Sequence, residues 1–137
     1  MSVLGAYEQK FRPDTTPSGF EVWSWFFMRI SGLALVFLVM GHMIIMHLID
    51  GGVDRIDFNF VADRWNGFLW RAYDFALLVL AMLHGAIGAR LTIHDHIRKP
   101  KVRALAKVAL YSVVVILLGV GTLVIATFDP SRIPGGT

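Results

Sequence analysis

Leu77-Leu78-Val79-Leu80-Ala81-Met82-Leu83-His84-Gly85-Ala86-Ile87-Gly88-Ala89-Arg90-Leu91-Thr92-Ile93-His94-Asp95-His96 is an apolar run with one histidine near its middle. Small residues stand beside that histidine, and a carboxylate flanked by histidines closes the run. At 100° per residue the 11-residue step from His84 to Asp95 ends about 20° past three full turns, so both side chains lie on one stripe. The same step separates them by about 16 Å along the axis. An imidazole at membrane depth above an acid near one surface points to a cofactor ligand over a proton-handling site.

The rest of the chain supports a membrane reading. Of 137 residues, 55% are hydrophobic, more than the roughly 45–50% of a soluble domain, and the charges are gathered into a few short segments. No length remains for a soluble domain beside the spans, so one small membrane domain is expected. The absence of cysteine excludes disulfides, thiolate metal sites and cysteine-held iron–sulfur clusters within the chain. A net charge of +3 is too small to suggest a nucleic-acid partner. Residues 1–22 carry Glu8, Lys10, Arg12, Asp14 and Glu21 with no apolar core, which argues against a cleaved signal peptide.

In chain order, Pro13 and Pro17 suit an extended cytoplasmic arm over 1–17. Ser18-Gly19-Phe20-Glu21 has the form of a capping box, so a helix is expected to start there. The membrane domain covers 18–128, with spans expected at about 25–48, 68–92 and 105–128, and an outer tail over 129–137. Trp23, Trp25, Phe26 and Phe27 mark one membrane boundary, and Trp65 and Trp70 the other. Residues 49–65 read as an acidic loop. Arg98-Lys99-Pro100-Lys101-Val102-Arg103 reads as a basic turn that Pro100 keeps from continuing as helix. Gly119 and Gly121 in the third span leave room for a close neighbour. The positive-inside rule then puts the N-terminus and second loop in the cytoplasm, and the first loop and C-terminus outside. The fold class is therefore an all-α membrane protein of three transmembrane helices, part of a larger anchor bundle completed by a partner subunit.

Ionisable groups inside a membrane are functional by default. His84 has two readings, an interhelical hydrogen bond or axial ligation of haem iron by a neutral imidazole. Ala81, Gly85 and Gly88 favour the second, since a macrocycle needs backbone clear of bulk. His42 follows Gly41 and has the same two readings nearer the outer face. Ser31 lies 11 residues before it and shares its stripe. His47, about 140° round the helix from His42, reads as an interfacial histidine. Arg29 is either an ordinary inner-surface arginine or a partner for a haem propionate. Asp95, between His94 and His96, is either a solvated helix end or a proton relay.

Three spans in this orientation, the second ending in H-x(10)-D, make the chain resemble the D-type haem b membrane anchor of succinate dehydrogenase (complex II). The resemblance extends over roughly residues 20–128, and Arg29-Ile30-Ser31-Gly32 adds an R/S/G signature near the start of the first helix. It implies that His84 is an axial ligand of haem b and Asp95 the acid near a quinone site. Many members carry tyrosine directly after that acid, where this chain has His96. Ser31 resembles a quinone-site serine, and His42 resembles the extra ligand of the two-haem branch. The expected cofactors are thus two haem b, with quinone as substrate. FAD and iron–sulfur clusters are expected only in partner chains. Those partners are a second membrane anchor of the C type, an iron–sulfur protein and a flavoprotein, at the inner face of the cell membrane. The implied activity is electron transfer from succinate to quinone. A subunit of another haem b membrane cytochrome and a haem-free structural anchor are the alternatives.

Overall fold

The computed structural model describes residues 18–49 and 51–129. The expected arm at 1–17 and the tail beyond Asp129 lie outside the described residues. Ser18 caps the first helix, α1 (Gly19–His47), through the expected reciprocal pair. Glu21 N–H donates to Ser18 Oγ at 3.3 Å, and Ser18 N–H donates to Glu21 Oε2 at 3.1 Å. Two donors that a helix start leaves orphaned are satisfied in this way. The 29 residues of α1 span about 44 Å, beyond the roughly 30 Å hydrocarbon core. Its aromatic start, where Trp23 stacks on Phe27 at 5.1 Å, therefore stands in the headgroup region.

The chain leaves α1 through Gly51 and Gly52, both at positive φ (92° and 64°). A Cβ on Gly52 would lie 2.6 Å from the His47 carbonyl oxygen, so conformation and space both require glycine there. The expected loop at 49–65 is largely helical: a 3-10 turn covers Gly52–Arg55, and a short helix, α2, covers Phe58–Asn66. Local capping decides this. Asp57 Oδ1 accepts from Phe60 N–H at 2.8 Å, and the helix then turns Ala62 and Arg64 inward. The helix is only nine residues long, and the aspartates and glycines around it give the stretch the composition of a loop.

Two long helices follow, α3 (Phe68–His96) and α4 (Pro100–Thr127). Pro100 is the first residue of α4, where its missing N–H would have had no helical partner anyway. α1, α3 and α4 are each long and apolar enough to cross a membrane, and no strand occurs among the described residues.

α3 is the middle helix, packed on α1 at one side and α4 at the other, while α1 and α4 scarcely meet. Two glycines permit the close approach. On α4, a Cβ at Gly121 would lie 2.6 Å from Leu78 Cδ2, whereas Gly119, expected to act similarly, faces open space. On α1, Gly41 admits the Tyr73 hydroxyl, which donates to the Leu38 carbonyl. At the first-loop end, the Phe128 ring meets Phe58 at 5.9 Å and Trp65 edge-on at 5.1 Å. Arg71 Nη2 donates to the Phe128 carbonyl at 2.9 Å, tying α3 to the end of α4. Only 6% of each span's most apolar window is enclosed. The large apolar surface outside the two seams suits lipid tails or further helices, not water.

Candidate functional site

His84 and Ser31 face each other across the α1–α3 seam, with Ser31 Oγ 2.8 Å from His84 Nδ1. Ser31 is 2% exposed, the most deeply buried side chain among the described residues. His84 Nε2 has no hydrogen-bond partner among them. The Cε1 edge of the ring lies beside Gly32, where a Cβ would come to 3.4 Å. The imidazole opens onto a shallow groove of about 360 Å³, walled on the α1 side by Gly32, Leu35, Val36, Val39 and Met40. A histidine hydrogen-bonded through Nδ1 to a buried hydroxyl, its ring bordering an apolar groove, has the kind of second partner that metal-ligating histidines have. Of the small residues expected to clear space beside His84, Gly88 packs against Met28, Gly85 faces open space and Ala81 is exposed. Gly32, on the other helix, is the glycine that touches the ring.

A separate cavity lies toward the second-loop end. Trp25, Arg29, Gly32 and Val36 recur at four, seven and eleven residues and occupy one stripe of α1 about 60° wide. One turn beyond Gly32, this cavity of about 530 Å³ is lined by Glu21, Ser24, Trp25, Arg29, Arg90 and His94, among others. Arg29 lies over the Trp25 ring at 4.3 Å, and Arg90 over Phe20 at 4.5 Å. Ser24 Oγ is buried there without a hydrogen-bond partner. Two guanidinium groups over aromatic faces at this cavity can receive an anionic or carbonyl oxygen. Sequence reasoning does not single out Ser24, Arg90 or His94 for this site. Their only signal is the spacing of Arg90 and His94, four residues apart on α3, with Ser24 seven before Ser31 on α1.

Asp95 and His96 end α3. Asp95 is strongly exposed, its Oδ1 3.6 Å from His94 Nδ1, and His96 Nδ1 lies 3.0 Å from the Thr92 carbonyl. The chain itself does not enclose them with His84. They lie level with the start of α1, on a surface open to water or to a partner.

A second polar centre lies at the other end of the seam. Asp74 of α3 accepts from Arg64 Nη2 at 2.8 Å and Nε at 3.3 Å, and from Trp65 Nε1 at 2.8 Å. The Arg64 side chain is 4% exposed and stacks on Trp70 at 4.3 Å. His42 Nδ1 lies 3.7 Å from Asp74 Oδ1, too long for a hydrogen bond. His42 Nδ1 and Arg64 Nη1 are both buried without a partner. They border a cavity of about 400 Å³ walled mainly by Met46, Val61, Leu77, Leu78 and Met82. His47 is exposed, consistent with its angular distance from His42. Among the described residues no three His, Asp or Glu side chains converge as a metal-binding group.

The described residues thus combine three long apolar helices, a mid-helix imidazole hydrogen-bonded to a buried serine, and a cavity toward each end of the α1–α3 seam. Residues 6–123 match the family described as succinate dehydrogenase/fumarate reductase transmembrane subunit. The chain belongs to that family. No curated protein matches it. As a succinate dehydrogenase/fumarate reductase transmembrane subunit, the chain is a multi-pass membrane component of an enzyme complex, associating there with the other subunits.

Proposed function

We infer that the chain is the D-type anchor of a succinate:quinone oxidoreductase, holding haem b together with a second, C-type anchor and shaping a quinone site. The observation that carries this reading is His84: a mid-span imidazole hydrogen-bonded at Nδ1 to Ser31, its ring bordering an apolar groove walled on one side by α1. A partner helix would supply the missing wall and the second axial ligand. Haem b bound there would supply a one-electron carrier between the iron–sulfur protein and quinone. Arg29, one turn along the same stripe, is suited to a propionate, and Arg90 extends that basic rim.

The cluster of Arg98, Lys99, Lys101 and Arg103 supports placing the Asp95 end in the cytoplasm. There the flavoprotein with FAD and the iron–sulfur protein would dock. Quinone reduction takes two protons with two electrons, and Asp95 with His94 and His96 offers titratable groups where water reaches the membrane surface. Asp95→Asn is expected to slow quinone reduction about 10²-fold or more, the scale of one general acid–base group. Succinate reduction of an artificial dye should be unchanged. Parallel loss of both activities in the purified complex would assign Asp95 to assembly instead.

His42 supports a second haem on the outer side. Its Nδ1 lies 3.7 Å from Asp74 Oδ1 beside an apolar cavity, and the His42 and Ser31 levels are about 16 Å apart along α1. The test is a dithionite-reduced minus oxidised spectrum of the complex purified through a tag on this chain, with pyridine haemochrome quantitation. Two haem b per copy are expected. One per copy would return His42 to packing beside Asp74. None, in an intact complex, would make the chain a haem-free anchor.

A further inference from the structure

We propose that Ser31 is the positioning residue for His84, its hydroxyl oxygen accepting the Nδ1 proton and so fixing both the tautomer and the donor strength of the ligand. This rests on His84 being a haem ligand. The bond at 2.8 Å joins the middle of α1 to the middle of α3, and Ser31 is buried to 2% exposure, so water does not compete for it.

The tautomer follows from where each proton can go. If Ser31 donated to Nδ1, the ring proton would sit on Nε2, for which the described residues supply no hydrogen-bond acceptor. A bare N–H in apolar surroundings is costly. With the ring proton on Nδ1 and donated to Ser31 Oγ, Nε2 carries a free lone pair and no donor is left over. Iron on Nε2 admits only that second arrangement. The hydrogen bond also restrains ring rotation, with the Cε1 edge set beside Gly32.

The hydroxyl sets the strength of the ligand as well as its direction. A neutral oxygen draws less on the Nδ1 proton than a carboxylate would, so the imidazole keeps less anionic character than in a carboxylate–histidine pair. Removing the acceptor weakens donation further. Ferrous iron is then favoured over ferric, and the midpoint potential rises.

The experiment uses the whole purified complex carrying Ser31→Ala, Ser31→Thr or Ser31→Cys. Three properties are read: haem transfer to excess apomyoglobin, the midpoint potential of the His84 haem, and its low-spin electron paramagnetic resonance g-values. Ser31→Ala is expected to lose haem about 10–100-fold more readily, the scale of second-sphere changes at metal ligands. Its potential should rise and its g-values shift. Ser31→Thr, which keeps the hydroxyl, should restore all three. Ser31→Cys, a weak acceptor, should fall between, and it decides the matter if the alanine variant does not assemble. Wild-type retention, potential and g-values in the alanine variant, or in the cysteine variant where that is the one assembled, would overturn the proposal and leave the bond as a tie between helices. A wild-type complex without haem b, or His84→Ala with a full haem complement, would overturn the ligand reading and this proposal with it.

Discussion

His84→Ala removes one haem b per copy of the chain and leaves the three spans inserted. The expectation rests on position. His84 stands 16 residues into the 29-residue α3, about 24 Å from its start and well within the apolar zone. Alanine has the highest helix propensity, so α3 is not interrupted. The substitution orphans the Ser31 hydroxyl, now buried with no ring nitrogen opposite it, at a cost of about 1–3 kcal/mol. That is enough to loosen the α1–α3 seam but not to expel either helix from a membrane. The measured signature is loss of one haem b equivalent by pyridine haemochrome, with the complex still assembled and still reducing a soluble dye from succinate. An undiminished haem content would show that His84 is only a hydrogen-bonded packing residue.

The membrane fold is legible in the sequence because it depends on long apolar runs, and such runs tolerate no ambiguity of period. The capping box at Ser18 is legible for the opposite reason: it involves four consecutive residues and nothing distant. What escapes are features that require two elements at once. Ser31 and His84 are 53 residues apart. Each stands out alone, Ser31 for its stripe with His42 and His84 for its stripe with Asp95, but no periodicity within a single helix reveals a partner on the next. Once the helices are paired, the ladder is simple. Eleven residues on α1 from Ser31 to His42 run against ten on antiparallel α3 from His84 to Asp74, so the two rungs meet at matching heights. Asp74 is the available signal, an acid inside an expected span, and such residues are rarely incidental. Arg64 escapes for another reason. It lies in a stretch whose composition reads as solvent loop, and only the cap at Asp57 turns that stretch into a helix that points Arg64 inward.

Asp74→Ala should be the most destabilising single change in the chain. It removes both carboxylate oxygens from a guanidinium whose side chain is 4% exposed, and also the acceptor for Trp65 Nε1. Breaking a buried ion pair from one side costs about 3–5 kcal/mol, because the surviving charge has neither water nor a counter-ion. Arg64 cannot relax outward easily, since its ring contact with Trp70 at 4.3 Å holds it under α2. Its Nη1 is already without a partner, so the loss adds to a group that is only partly satisfied. Replacing both members by apolar residues of similar volume, as in Arg64→Met with Asp74→Leu, should recover most of that loss, since an apolar pair needs no desolvation. The measurement is the temperature at which the detergent-solubilised complex loses its anchor subunits, read for the two single variants and the double variant. Because such unfolding is governed by rate, all three are compared at one heating rate. Recovery in the double variant identifies the pair as a clasp of α2 onto α3. A double variant as fragile as Asp74→Ala would instead mean that the charges serve the cavity beside His42, where the unpartnered Arg64 Nη1 and His42 Nδ1 both lie.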